Sequence, residues 1–214
     1  TIGYFNGKWE FNNGLNPVDI TPEYVTDMLF EFINLGGVNN FDINNLRVSD
    51  DSILLLSTAR VILQKLNNID EYGAKLKLEY LNHYDELKTR HPGETTMRSI
   101  NILKNTDWFN ISYNGQDIGN GAVMRSGVIA FFYSPYELDF LRICIETSRI
   151  THNSALSILG SISIAYLVHC ACYEFDTDTW LMYLIKYLEK IDPDIQKYIK
   201  STRPNELMSY NLDK

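Results

Sequence analysis

The stretch NSALSILGSISIAYLVHCACY, residues 153–173, decides the fold class, because it contains no Asp, Glu, Lys or Arg. A helix of this length without charges is long enough to cross a bilayer. Against that interpretation, the stretch contains Asn153, His169, several serines and two cysteines, and basic flanks and aromatic belts are absent. We therefore expect a fully buried helix at the centre of an all-helical domain, and no membrane partner.

Helical spacing of apolar residues dominates the rest of the chain, whereas the alternation typical of strands is scarce. Thr21 as N-cap, Pro22 at the first helical position and the glycines at 36 and 37 frame the first predicted helix. Four apolar residues of this helix are expected to face inward: Val25, Leu29, Phe32 and Ile33.

Further helices are predicted after it. The next is opened by Ser49, and its apolar residues at helical spacing are Leu55, Ala59, Ile62 and Leu66. The others cover 70–90, packed on the outside, 95–104, 136–149, 151–172, 179–190 and 193–201, with a break at Asp192-Pro193. Residues 107–121 have loop character. Together these elements predict one all-α domain over residues 1–214.

Composition narrows the function. A net charge of -8 argues against a nucleic-acid partner, because phosphate binding depends on clustered Lys and Arg. Cys144, Cys170 and Cys172 lie in apolar stretches and form no zinc pattern, so we expect buried thiols in a reducing compartment. No signal peptide is visible, although the chain begins at Thr1. The predicted location is cytoplasmic.

Two adjacent carboxylates stand out in the segment RVSDDS, residues 47–52, directly before the apolar run at 53–56. Ser49, Asp50 and Asp51 fit ordinary helix capping, since early carboxylates suit the positive end of the helix dipole. The same oxygens also fit a hard cation such as Mg²⁺ or Ca²⁺. The sequence of this segment alone leaves both interpretations open.

Two more segments give this pair a context: GNGAVMRSG at 119–127 and SRITHNSA at 148–155. In this order the three segments resemble the ADP-ribosylglycohydrolase family, which carries a Ser/Thr-Asp-Asp-Thr metal motif, a Gly-x-Gly-Ala-x-Met-Arg loop and a Thr-His before a buried helix. GYFNGKWEF at 3–11 resembles the ADP-ribosylarginine hydrolase branch in particular, and HPGETT at 91–96 is similar to another family element.

The resemblance implies a compact orthogonal helical domain that hydrolyses the N-glycosidic bond between ADP-ribose and a protein side chain, with arginine favoured. It implies a two-ion Mg²⁺ site whose first half is formed by Ser49, Asp50 and Asp51, with both aspartates also catalytic. Such a reaction passes through an oxocarbenium-like transition state and needs a positioned water and a carboxylate. The implied partner is ADP-ribosylated protein or ADP-ribose.

The resemblance also implies a set of substrate-binding residues. For each of them an ordinary structural role is the alternative to substrate binding. Backbone N–H groups of the loop would contact the diphosphate, although Asn-Gly is also a common turn dipeptide. Met124 could line the ligand pocket but is equally suited to the core. Arg125 is suited to ordering the loop rather than to touching substrate. A histidine near a helix start, such as His152, is commonly a hydrogen-bonded cap. Glu10 could contact substrate, or it could be an exposed surface glutamate without a function. The implied substrate-binding residues are Glu10, Gly119, Asn120, Gly121, Ala122, Met124 and His152. His83, His91 and His169 match no motif and are interpreted as structural.

The sequence departs from the family pattern at both ends. The family's opening Gly-Asp helix and its second metal motif, Gly-Gly-Asp-x-Asp-Ser/Thr, do not occur in it. DTDT at 176–179 is a conceivable substitute, but capping of the following helix explains it better. We therefore expect a domain incomplete on its C-terminal side, either a fragment or a short form with impaired catalysis. The alternative function is a non-catalytic ADP-ribose-binding or interaction module.

Overall fold

The computed structural model describes residues 21–40, 48–66, 68–90 and 92–210. No strand occurs within these ranges, which confirms the all-α prediction. The α-helices are α1 (Pro22–Asn34), α2 (Gly37–Asn40), α3 (Asp50–Leu63), α4 (Ile69–Asn82), α5 (Tyr84–Lys88), α6 (Glu94–Leu103), α7 (Gly121–Ser126), α8 (Leu138–Arg149), α9 (Ala155–Cys172) and α10 (Trp180–Thr202). Short 3-10 segments lie at Trp108–Asn110, Gly127–Phe131, Thr177–Thr179 and Pro204–Tyr210.

The apolar helix predicted from residues 153–173 is α9, and it lies at the centre of the packing. It contacts α7, the segment Gly127–Phe131, α8 and α10. Ser154 caps its first turn by accepting a hydrogen bond from the Ser157 backbone N–H at 3.2 Å. By length and composition α9 is also able to span a membrane. Core helices of soluble proteins meet the same two criteria, so this is weak evidence for a membrane span.

The expectation that this helix is fully buried is wrong. Only 44% of α9 is buried, and Leu156 is 54% exposed. The reason is that α9 carries apolar residues around its whole circumference, whereas its neighbours cover only part of it. Cys172 at its C-terminal end is likewise exposed, so the prediction of a buried thiol holds for Cys144 and Cys170 but not for Cys172.

The first predicted helix exists, but its apolar face does not point into the core. Thr21 caps α1 by accepting the Tyr24 backbone N–H, as the sequence predicts. Val25, Leu29 and Ile33 are nevertheless exposed. Helical spacing determines which residues share a face, whereas the position of the helix decides whether that face is covered. Within the described ranges, α1 packs against the short α2.

Helices α3 and α4 form the wall beside α9. The predicted start of α3 is confirmed, but its fully buried face is Ile53, Leu54, Val61 and Ile62 rather than the predicted stripe, of which only Ile62 is fully buried. Contacts with α4 on one side and α7 on the other shift the buried face. Segment 70–90 is divided at His83 into α4 and α5, and it is not merely external, since Tyr72, Leu76 and Tyr80 are in the core.

The predicted break at Asp192-Pro193 is absent, because α10 continues through Pro193 to Thr202. A proline inside a helix removes one backbone hydrogen bond and costs roughly 3 kcal/mol. Tyr187, Ile191 and Ile199 are buried on either side of it, so packing of the helix face offsets that loss. The helices predicted over 95–104 and 136–149 are confirmed as α6 and α8 within two residues at each end.

A buried ionic cluster joins α8 to the end of α10. The Glu146 carboxylate accepts two hydrogen bonds from the Arg203 guanidinium, at 2.8 and 2.9 Å, and one from Arg149 at 3.2 Å. The Tyr198 hydroxyl donates a further bond to it at 2.8 Å. Since all three charged side chains are almost fully buried, each charge depends on its partners for solvation.

Replacing Glu146 by alanine should therefore lower the free energy of unfolding by about 3–5 kcal/mol, because two guanidinium groups lose a buried carboxylate. Asp139→Ala is the matched control on the same helix, since it removes an exposed ion pair with Arg142 and should cost less than about 1 kcal/mol. Urea denaturation of both variants measures the difference. Equal losses would show that the cluster adds nothing beyond a surface pair.

Candidate functional site

A cleft of about 350 Å³ lies where the N-terminal ends of α3, α6 and α7 meet the segment before α9. Its lining comes from four separate parts of the sequence. These residues are Asp50, Asp51, Gly93, Glu94, Thr95, Thr96, Gly119, Asn120, Gly121, Met124 and His152. The structure thus brings the Asp pair, the glycine loop and the Thr-His segment together in one cleft.

The Asp pair sits at the first turn of α3 and forms the acidic side of the cleft. Asp50 is 8% exposed, and burial together with the neighbouring Asp51 charge raises the pKa of its carboxyl to about 6. Backbone N–H groups of Asp51, Asp50 and Gly93 oppose this shift without cancelling it. Asp50 therefore has a pKa near neutral pH, which suits a group that takes up and releases a proton.

Ser49 occupies the N-cap position of α3, but its side chain makes no capping hydrogen bond. The simple capping interpretation therefore does not account for a buried serine at this position. Ser49 does not line the cleft itself, whereas Asp50 and Asp51 do.

The glycine loop lies directly against the imidazole of His152. A Cβ atom built on Gly119 would lie 3.1 Å from His152 Nε2, and one on Gly121 would lie 3.0 Å from His152 Cε1 and 3.2 Å from Thr96 Oγ1. These separations are too short for an unstrained side chain. Glycine at both positions is what lets the backbone approach the ring.

The side chain of Arg125 holds the glycine loop in place next to His152. Its side chain is fully buried and donates hydrogen bonds to the backbone oxygens of Gly121 at 2.8 Å and Thr147 at 2.7 Å, and to Thr151 Oγ1 at 2.6 Å. It therefore orders the loop instead of lining the cleft, which is the role that the sequence favours for it.

Thr151 also contacts the imidazole of His152. Its Oγ1 accepts from Arg125 and lies 2.9 Å from His152 Nδ1. We assign Nδ1 as the acceptor of the Thr151 proton, which places the ring proton on Nε2, the atom that faces Gly119. Burial, reinforced by the charges of Arg125 and Arg98, lowers the pKa of His152 to about 3. His152 is therefore a neutral hydrogen-bond donor at the cleft wall.

Sequence reasoning missed an ion pair beside the cleft. The Arg98 guanidinium bonds the buried Asp117 carboxylate, which also accepts from Asn114 Nδ2 at 2.9 Å. The Asp117 backbone oxygen accepts the hydroxyls of Ser154 and Ser157 at the start of α9. Loop 114–119 is thereby tied to α9. An Asp within a polar loop gives no signal of this role, since its partners are distant in sequence.

The remaining predicted site residues differ in where they lie relative to the cleft. Ala122 is fully buried and does not line the cleft, because it is on the side of α7 that faces the core. Met124 lines the cleft and is 44% exposed, so it is not a core residue. Glu10, the rest of 3–11, Arg47 and His91 lie outside the described residues. Asp176 caps the segment Thr177–Thr179 through the Asp178 N–H, as the capping alternative states.

Glu94, Thr95 and Thr96 line the cleft although the sequence assigned them no function. The resemblance of HPGETT to a family element was the available signal, since it marks residues at the first turn of α6. Their oxygens add to those of the Asp pair.

The donor set fits a hard cation in kind, because carboxylate and hydroxyl oxygens are the ligands that Mg²⁺ prefers. The repulsion between Asp50 and Asp51, visible in the raised Asp50 pKa, is what a bound cation would relieve. Within the described ranges, however, no group of three His, Cys, Asp or Glu residues could hold a metal ion. The residues present thus fit one side of a magnesium site.

Comparison with known proteins shows the family of the chain. The family model for ADP-ribosylglycohydrolase matches residues 5–210. The chain belongs to the ADP-ribosylglycohydrolase family. The resemblance predicted from the three segments is thereby confirmed, and the all-α fold is the one expected for this family.

Two relatives illustrate the relationship. A protein of Acanthamoeba polyphaga mimivirus named as an ADP-ribosyl glycohydrolase is 41% identical over 221 residues, which cover 100% of this chain and 42% of that protein. ADP-ribosylhydrolase ARH1 of Dictyostelium discoideum is 30% identical over 212 residues, covering 94% of this chain and 51% of that protein. The chain thus spans about half the length of the curated relatives it matches.

The buried His152 should make stability depend on pH. In the unfolded chain its pKa returns to the ordinary 6.5, so acid protonates the unfolded state first and stability falls as the pH drops from 6.5 towards 3. Between pH 7 and pH 5 this amounts to about 2 kcal/mol. Urea unfolding at both pH values should show the wild type losing that much more stability than His152→Gln. Equal losses in the two proteins would contradict a neutral His152.

Proposed function

We propose that this protein hydrolyses the N-glycosidic bond between ADP-ribose and a protein side chain, with arginine as the acceptor and Mg²⁺ as the cofactor. The observation that carries the proposal is the convergence of Asp50 and Asp51 with the glycine loop and His152 in one cleft. Family membership supports the reaction class. The arginine acceptor is supported by the resemblance of residues 3–11 to the arginine branch.

The two sides of the cleft suit the two ends of the substrate. Backbone N–H groups at Gly119, Asn120 and Gly121 are positioned to hold the diphosphate, because no side chain at either glycine screens them. The first turn of α6 adds the positive end of a ten-residue helix on the same side. The carboxylates of α3 face the ribose end, where positive charge develops in an oxocarbenium-like transition state.

The residues of this cleft have different roles in the proposed hydrolysis. Asp51 and Asp50 orient the attacking water and accept its proton. His152 remains neutral and donates from Nε2 to a substrate oxygen without adding positive charge beside the developing cation. Asp50 and Asp51 would hold Mg²⁺, which when bound fixes the ribose hydroxyls and polarises water.

Activity should depend on the Asp pair and on Mg²⁺. Incubation with an ADP-ribosylated arginine peptide and Mg²⁺ should release ADP-ribose, and Asp51→Asn should reduce release by about 100-fold or more, because a carboxylate is lost from the reacting centre. Chromatography of free ADP-ribose measures the rate. Asp178 is an exposed carboxylate in the 3-10 segment before α10, so Asp178→Asn is the matched control and should leave the rate unchanged.

Calorimetry with ADP-ribose distinguishes failure of the chemistry from failure of the site. Binding of ADP-ribose without any turnover would overturn the hydrolase proposal in favour of a binding module. Absence of both binding and turnover would overturn the assignment of the cleft itself.

The close approach of the loop gives a separate prediction. Gly121→Ala should weaken ADP-ribose binding by about tenfold, because the added Cβ must displace the His152 ring or Thr96 from the cleft wall. Gly115→Ala is the matched control in the preceding loop, since its Cβ would meet only the Tyr113 ring at ordinary contact distances of 3.6–3.7 Å. Titration calorimetry compares the two. Unchanged affinity in Gly121→Ala would show that the loop does not contact the ligand.

A further inference from the structure

A second cavity, of about 450 Å³, lies at the opposite end of α3 from the cleft. Val61 and Ile62 form part of its wall, eleven and twelve residues beyond Asp50 along the same helix. At 1.5 Å per residue this corresponds to roughly 16 Å along the helix axis. The two cavities share no lining residue, so the second is separate from the proposed catalytic site.

Three tyrosines contribute to this cavity: Tyr72 on α4, Tyr198 on α10, and Tyr133, which follows the 3-10 segment Gly127–Phe131. Two of them are held in place by buried hydrogen bonds. The Tyr72 hydroxyl bonds Thr147 Oγ1 at 2.5 Å, and the Tyr198 hydroxyl donates to Glu146 at 2.8 Å. Tyr72 is only 2% exposed and lies behind the wall, whereas the half-buried rings of Tyr133 and Tyr198 offer aromatic surface to the cavity. Aliphatic side chains of α3 and α8 complete the apolar part of the wall.

The rim of the cavity offers both hydrogen-bond donors and acceptors. Asn68 uses its side-chain oxygen to cap α4, which leaves its NH₂ group as a donor. Ser201 and Thr202 each donate to the Tyr198 backbone oxygen at 2.8 Å. Thr202 Oγ1 also accepts from Arg203 at 3.3 Å, so Ser201 Oγ is the acceptor offered at the rim. A ligand with a mixed polar edge can satisfy both kinds of group.

The charge of the rim is balanced. Arg142 donates to Asp139 at 3.1 Å, and both side chains line the cavity. This pair leaves no net charge to attract an ion. The cavity differs in this respect from the cleft, where two carboxylates stand side by side.

We propose that this cavity is a second ligand site, which binds an uncharged aromatic molecule of nucleoside size. The volume falls within the range of about 300–1,000 Å³ that is typical of small-molecule sites. The half-buried Tyr133 and Tyr198 rings provide aromatic surface for a flat ring system, and the mixed rim provides partners for its polar edge. The site is independent of the hydrolysis proposed above.

Adenosine is a suitable probe, because it is neutral, aromatic and carries both donors and acceptors. Calorimetric titration of the full chain should detect its binding. Ser201→Trp, at an exposed helix position on the cavity rim, should weaken binding by more than about tenfold by filling the space. Gln196→Trp on the same helix is the matched control, since Gln196 is exposed and does not line the cavity.

Two further variants make the outcome decisive. Arg142→Gln should reduce adenosine affinity several-fold without a large substitution in the wall, which covers the case that Ser201→Trp fails to fold. Asp51→Asn in the cleft should leave adenosine binding unchanged. The proposal is overturned if adenosine does not bind at millimolar concentration, if Ser201→Trp and Arg142→Gln both bind as well as the wild type, or if Asp51→Asn abolishes binding.

Discussion

The buried guanidinium of Arg125 is the constraint on which the site depends. A charge removed from water costs several kcal/mol unless hydrogen bonds satisfy it. Among the described residues its hydrogen bonds go to neutral oxygens only, those of Gly121, Thr147 and Thr151. The loop, α8 and the segment before α9 must therefore keep fixed relative positions, since movement of any one would leave part of the charge unsatisfied. Its charge also helps to keep His152 neutral.

This anchoring explains how a cleft made of four sequence segments retains a defined geometry. The glycine loop is held in place by Arg125, and a Cβ on Gly119 or Gly121 would fit only if His152 or Thr96 shifted by a few tenths of an ångström. The acidic pair is held separately, by the first turn of α3. Substitution of Arg125 is expected to disturb the whole loop side, because it removes the hydrogen bonds to Gly121, Thr147 and Thr151 together.

The sequence predicted those features that depend on local chemistry. Capping of α1 by Thr21, the start of α3 after Ser49 and the apolar character of α9 all follow from residues near each other in the chain. The association of the Asp pair with the glycine loop and His152 came from the family resemblance, because no spacing rule brings residues 50, 120 and 152 together. Glu94, Thr95 and Thr96 were not predicted as cleft residues, because no spacing rule brings residues 94–96 to the Asp pair either.

The errors share a physical cause, which is that exposure and continuity depend on neighbours distant in sequence. The apolar face of α1 has the same spacing as a core face, yet Val25 and Leu29 are exposed. Pro193 breaks helices in isolation, but buried residues on both sides of it keep α10 continuous. The Glu146 cluster adds to this effect, because Tyr198 and Arg203, both beyond the proline, bind a carboxylate on α8. Tertiary contacts at the far end of α10 thus stabilise a helix that its own sequence would interrupt.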